Sequence, residues 1–176
     1  MRSDARANRD KVLAAAEEIF GTAGADASTD DVARRAGVGI GTVFRHFPTK
    51  RDLLEATVVR HFEQLTEEVS GAGTTLDDAL RRLISTGATK IALINRLVAL
   101  DEFSAPAERA SKALKAAVRA RLREEQEAGV IRPDVTVEEV YLLVRALANV
   151  ATTVDPSTVD RAVEVILDGL KIADRS

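Results

Sequence analysis

Apolar side chains recur along this chain at the three- and four-residue spacing of helices, not at the alternate positions of strands. Over residues 6–21, Val12, Ala16, Ile19 and Phe20 share one face, and Gly21 and Gly24 are expected to end that helix. The stretch "STDD" offers Ser28 or Thr29 as an N-cap, followed by acids that suit the positive end of a helix dipole. A short helix over 29–36 then turns Val32, Ala33 and Ala36 inward and stops at Gly37, a residue suited to a left-handed C-terminal cap. A second short helix, 40–46, ends before Pro48. Thr49 followed by Asp52 makes a capping-box start for a fourth helix reaching about Val69, with Leu53, Leu54, Val58, Phe62 and Leu65 buried.

"SGAGTT" (70–75) reads as a linker. Beyond it, Leu76, Leu80, Leu83, Ile84, Ile91 and Ile94 predict a helix over 76–98, and Leu114, Val118 and Leu122 another over 107–128, closed by Gly129. The last two predicted helices, 136–153 and 157–172, are apolar nearly all round. One stripe suffices for a surface helix, so two apolar faces imply two buried contacts. In so small a chain the second contact points to another subunit, and Leu143, Leu147, Val150, Val163, Ile166, Leu167 and Leu170 are the expected dimer interface. The alternative is that one of the two is the central helix of a monomeric bundle. The fold class expected is all-α.

A chain of 176 residues can bury a sizeable core, and 45% hydrophobic with 30% charged residues suits a soluble globular protein better than a disordered one. There is no cysteine, so disulfides, thiolate metal sites and cysteine nucleophiles are excluded. No apolar run is long enough to span a membrane and "MRSDARANRD" lacks a signal-peptide core, which predicts a cytoplasmic protein. The net charge is −3, yet residues 1–51 carry nine Lys/Arg against seven Asp/Glu. The sign of that asymmetry favours an N-terminal end that meets phosphate.

Three glycines at alternate positions in "AGVGIGTVFRHF" (36–47) pose the functional question. A dinucleotide fingerprint needs a strand before G-x-G-x-x-G, and a Walker loop needs Lys-Ser/Thr at its end. Here "DDVARRA" before the glycines is helical and no Lys-Ser/Thr follows. A helix-turn-helix makes other demands: a small residue where the helices touch, a glycine at the turn and apolar residues that lock the pair. Ala33, Gly37, Val38 and Val43 meet them, with Val32 and Ala36 as further inward contacts. The second helix of such a unit presents its N-terminal end to base edges in the major groove. Ile40 can offer an apolar contact to a thymine methyl, Thr42 can reach a base or a phosphate, and Gly41 lets the backbone come close.

The continuation "TVFRHFPTKRDLL" resembles the signature of the TetR family of bacterial transcriptional regulators, and the resemblance runs back through "KVLAAAEEIFGTAGADASTDDVARRAGV", covering roughly residues 9–56. It implies an N-terminal three-helix DNA-binding head, taken as residues 1–51, and a helical-bundle ligand-binding and dimerisation domain over 52–176. In the family's pattern the positions of Ile40, Gly41, Thr42, Phe44, Arg45, His46 and Lys50 touch DNA. Ser28 and Thr29 would hold a phosphate from the supporting helix, or act simply as caps. Phe44 stands where the family usually has tyrosine, so a phenolic hydrogen bond is missing. The basic residues Arg2, Arg6 and Arg9 would form an arm that assists, or a frayed terminus.

The resemblance also implies a small-molecule effector, a homodimer and a palindromic operator, with no cofactor, no metal and no membrane partner. Polar residues within apolar helices give a candidate pocket: Asn95, Tyr141, Arg145, Asn149 and Thr152. The alternative puts them at the dimer seam, with Arg145 paired to Asp101 or Glu102. An enzyme is not expected, because no nucleophile–base pair is evident. A helical interaction module is the other rival.

Overall fold

A computed structural model describes residues 2–23, 27–86, 104–151 and 153–172. These residues form helices only: α1 (Arg2–Ala23), α2 (Thr29–Ala36), α3 (Ile40–His46), α4 (Lys50–Val69), α5 (76–86), α6 (Ala105–Glu127), α7 (Val137–Val150) and α8 (Pro156–Leu170). One isolated bridge, Ile131 to Lys171, is the nearest approach to a sheet among the described residues. The all-α expectation holds. No helix among the described residues is long and apolar enough to cross a membrane.

The chain divides into two compact units. The first takes residues 1–62 with the start of α6 to Ala110, and the second takes 63 onward through α5, then the chain from Ser111. The division therefore falls within α4.

In the first unit α1 packs on α2 and α3, and α2 on α3. Val12, Leu13, Ala16 and Phe20 of α1 meet a core made by Val32 and Ala33, Val43, Phe47, and Leu53, Leu54 and Val58 of α4. Phe20, Val32, Val43 and Leu53 are wholly enclosed, each contributing on the order of 1.5–3 kcal/mol relative to an exposed side chain. Arg60 of α4 ties back to α1: its guanidinium donates to the Asp10 carbonyl at 3.2 Å and lies 3.7 Å from Glu17. α1 is longer than its apolar stripe predicts. It passes through Gly21 to Ala23, and at its other end it absorbs the expected arm, so Arg6 and Arg9 ride on a helix. A glycine inside a helix costs about 1 kcal/mol, which the enclosed Phe20 beside it offsets.

The second unit is a bundle around Leu76, Leu80, Leu83 and Ile84 of α5, Leu114, Val118 and Leu122 of α6, Val137 and Val140 of α7, and Val163, Leu167 and Leu170 of α8. The residues expected at a dimer face divide between this core and the surface. Val163, Leu167 and Leu170 are buried in the protomer's own core. Leu143, Leu147 and Ile166 are half-buried and line a small void together with Leu80 and Ile84. Of the seven residues assigned to a partner, only Val150 is exposed, and it is joined by Leu142 and Val165. Both helices are apolar on more than one face, so periodicity alone could not tell which face the protomer keeps.

Two side chains of α6, one turn apart, hold the linker between α4 and α5. Arg121 Nη2 donates to the carbonyls of Val69 and Gly71, each at 3.1 Å, capping the negative end of α4. Glu125 Oε1 accepts from the amide of Leu76 at 2.5 Å, at the positive start of α5. Within the linker Gly73 adopts φ +78°, and a side chain at Gly71 would press on the Glu68 carbonyl at 3.1 Å.

Candidate nucleic-acid interface

The head is assembled by caps that the local sequence dictates. Ser28 is the N-cap of α2: its hydroxyl accepts from the Asp31 amide at 3.1 Å and donates to the Asp31 carboxylate at 2.7 Å, completing a capping box. The Ser28 hydrogen bonds, side chain first and then backbone, hold the Asp31 carboxyl below the ordinary carboxylate range, with Arg34 adding to the effect. At the far end Gly37 adopts φ +67°, the left-handed conformation that ends α2 and releases the chain into the turn. The amide of Val38 then donates to Ala33 at 3.1 Å. Gly39 is the N-cap of α3 with no side-chain bond, and its carbonyl accepts from Thr42 at 2.8 Å.

Val43 and Phe47 pin α3 from beneath, both buried. Arg9 sits 5.4 Å above the centre of the Phe47 ring, and the His46 ring lies 6.2 Å from it. Arg35 of α2 donates to Glu18 of α1 at 2.6 Å and fixes the supporting helix. At the start of α4, Thr49 and Asp52 form a second capping box: the Thr49 amide donates at 2.9 Å and the Asp52 amide returns a bond at 3.1 Å.

The outer side of α3 is left to solvent. Gly41, Phe44 and Arg45 are exposed, while Ile40, Thr42, His46 and Lys50 are half-buried. Phe44 is 44% exposed, a large apolar ring that the described residues leave partly uncovered. A side chain built at Gly41 would meet nothing within 4 Å. Packing within the chain therefore does not require that glycine.

Residues 12–57 match the family model described as bacterial regulatory proteins of the tetR family, and residues 71–172 match the model of the C-terminal domain of SbtR-like transcriptional regulators. The crystal structure of a TetR transcriptional regulator from Streptomyces coelicolor is similar over 93% of this chain and 98% of that one, at 31% identity and a TM-score of 0.78. A TetR transcription regulatory protein from Mycobacterium vanbaalenii is similar over 97% and 99% of the two chains, at 32% identity and a TM-score of 0.77. This chain belongs to the TetR family. An HTH-type transcriptional regulator of Staphylococcus aureus strain USA300 is 33% identical over 76 residues, a match spanning 39% of this chain and 41% of that protein.

Within this TetR-family chain the nine residues expected at DNA lie on α2, α3 and the start of α4, or cap α2. Ser28 is committed to its cap through the hydroxyl. The sequence reading missed the Arg35–Glu18 pair and the seat of Arg9 on Phe47. Partners far apart in the sequence and on different elements leave no local signal.

The expected pocket residues are not brought together. Asn95 and Thr152 lie outside the described residues. Arg145 and Asn149 are exposed, and the acids expected to pair with Arg145 lie outside the described residues. Tyr141 is half-buried, with Lys115 Nζ 5.8 Å from its ring centre; burial pushes its phenol upward, and the hydroxyl finds no hydrogen-bond partner among the described residues. A sizeable cleft among the described residues of this unit is lined by other side chains.

Proposed function

We propose that this TetR-family chain is a transcriptional repressor that binds a two-fold-related operator as a homodimer in the cytoplasm and releases it on binding a small molecule. The observation that carries the reading is the capped, core-anchored α3 with an uncovered outer side. Ile40, Gly41 and Thr42 stand at its N-terminal end, and Phe44, Arg45 and His46 follow. Ile40 makes an apolar contact to a thymine methyl, Thr42 reaches a base or phosphate, and the bare backbone at Gly41 allows close approach. Arg45, His46 and Lys50 hold phosphates and fix the register. Few polar side chains reach base edges, so DNA shape supplies part of the specificity.

The dimer forms through the outer faces of α7 and α8, centred on Leu142, Val150 and Val165, which are 69%, 46% and 58% exposed. Arg145 and Asn149, exposed on the same helix, belong to this seam rather than to a pocket. A two-fold dimer presents its heads symmetrically, so the operator is a palindrome. An effector acts by preferring the protomer arrangement that does not fit DNA.

Selection of sites from a random duplex pool tests the reading, with an Ile40→Ala/Thr42→Ala/Lys50→Ala variant alongside. The expected result is a palindrome enriched by the wild type alone. Enrichment that survives the triple change contradicts it.

A further inference from the structure

The second unit contains a cleft of about 570 Å³, within the size range of small-molecule sites. Its apolar lining is aliphatic: Val69 at the end of α4, Ala79 and Ile84 of α5, Val159 and Val163 of α8. No aromatic ring lines it among the described residues. The charged lining comprises Glu68, Asp78, Arg81, Arg82 and Asp160, with the hydroxyls of Thr74 and Ser85 nearby.

The charges are unevenly committed. Arg81 Nε donates to Asp77 at 2.7 Å, and Arg82 Nε lies 3.3 Å from Glu68. Asp78 accepts from the Thr75 hydroxyl at 2.7 Å and from its amide at 3.1 Å, closing the cap of α5. Asp160 is left over: among the described residues no hydrogen bond or ion pair engages it, although, after the Asp77 hydrogen bond and charge and then Glu164, its field adds to what holds Arg81 protonated. A ligand carboxylate, even on the Nη groups of Arg81 and Arg82, would face the charges of Glu68, Asp77 and Asp160. A cation meets a carboxylate that no hydrogen bond engages among the described residues, in a lining whose three acids outnumber its two arginines, and hydroxyl oxygens able to accept hydrogen bonds. The lack of aromatic rings disfavours a quaternary ammonium, which has no N–H to donate and is best held by π-faces.

We propose that this cleft binds a protonated aliphatic amine, its ammonium on Asp160 and its alkyl body against Val69, Ile84 and Val159. The proposal deepens the regulatory reading above, because Ala72, Gly73 and Thr74 of the α4–α5 linker are part of the same lining.

Calorimetric titration of the full chain with hexylamine, hexyltrimethylammonium, hexanoate and 1-hexanol tests it. Hexylamine is expected to bind roughly ten-fold or more tightly than each of the other three, and Asp160→Asn to remove that advantage. Ser85→Arg, which adds a cation to the lining, is expected to abolish amine binding even if Asp160→Asn alters the fold. Equal affinities for the four probes, no heat from hexylamine at millimolar concentration, or full binding by the Ser85→Arg variant would overturn the proposal. Amine binding by a chain that selects no operator leaves the site standing and removes the regulator reading. Operator selection without amine binding does the reverse.

Discussion

At the scale of single residues, two of the alternating glycines, Gly37 and Gly41, have different physical roles. Gly37 is held at φ +67°, where a side chain collides with the following carbonyl. Gly37→Ala is therefore expected to lower stability by about 1–2 kcal/mol, seen in a thermal melt. Gly41 has helical geometry and open space around it, so Gly41→Ala is expected to leave the melt unchanged or raise stability by up to about 1 kcal/mol. The same change should weaken duplex binding at least several-fold by anisotropy. A stable Gly41→Ala protein with undiminished binding would show that nothing approaches that backbone. The capping carboxylates contribute to the acid limit. Asp31, Asp78 and Glu139 are each held below their ordinary values, 3.8 for the aspartates and 4.5 for the glutamate, by bonds to Ser28, Thr75 and Thr136. A carboxyl with a lowered folded pKa contributes stability that is fully present above its unfolded value and lost as pH falls through the folded one. Helicity is therefore expected to hold down to about pH 4–5 and decline below it, and an Asp31→Asn variant should show a shallower acid decline.

At the scale of elements, what was legible followed from how local the signal is. The bounds of α2 and α3 could be read because each end is marked within a few residues: Ser28 with Asp31, Gly37, and Pro48 after His46. The start of α4 was equally plain from Thr49 and Asp52. The ends of α1 were not, since one glycine in a helix is a weak stop when the flanking residues are packed. The clamp from α6 was invisible for a different reason. Arg121 and Glu125 act on carbonyls and an amide about fifty positions away, and no pattern in either segment announces the other. Arg121→Ala leaves the Val69 and Gly71 carbonyls without that donor and is expected to cost about 1–3 kcal/mol. Hydrogen exchange over 69–76 should accelerate in that variant, while α2 and α3 keep their protection. Uniform acceleration across the chain would mean that the clamp is not a local device.

At the scale of the whole molecule, the sequence disclosed that α7 and α8 have more apolar surface than one contact consumes. It did not disclose which face stays with the protomer, because side chains at 163, 167 and 170 look as suitable for a partner as those at 142, 150 and 165. Burial decides it: the first set closes the core and the second stands in solvent. Leu142→Glu with Val165→Glu is expected to yield a folded monomer in sedimentation and to weaken operator binding sharply. Val163→Glu should instead unfold the second unit, since it buries an unpaired carboxylate. A Leu142→Glu/Val165→Glu protein that remains dimeric would move the interface elsewhere. The head's caps were legible in sequence because they are local, whereas a shared helix stripe did not foretell that Tyr141 is half-buried while Arg145 and Asn149 are exposed.

The central claim is that two heads grip duplex DNA through phosphates and read it through α3. It is tested most directly by measuring affinity for the selected duplex against salt concentration. Roughly six phosphate contacts predict a slope of log K on log salt near about −5. A slope near zero would contradict the claim, since no grip built on phosphate is indifferent to salt.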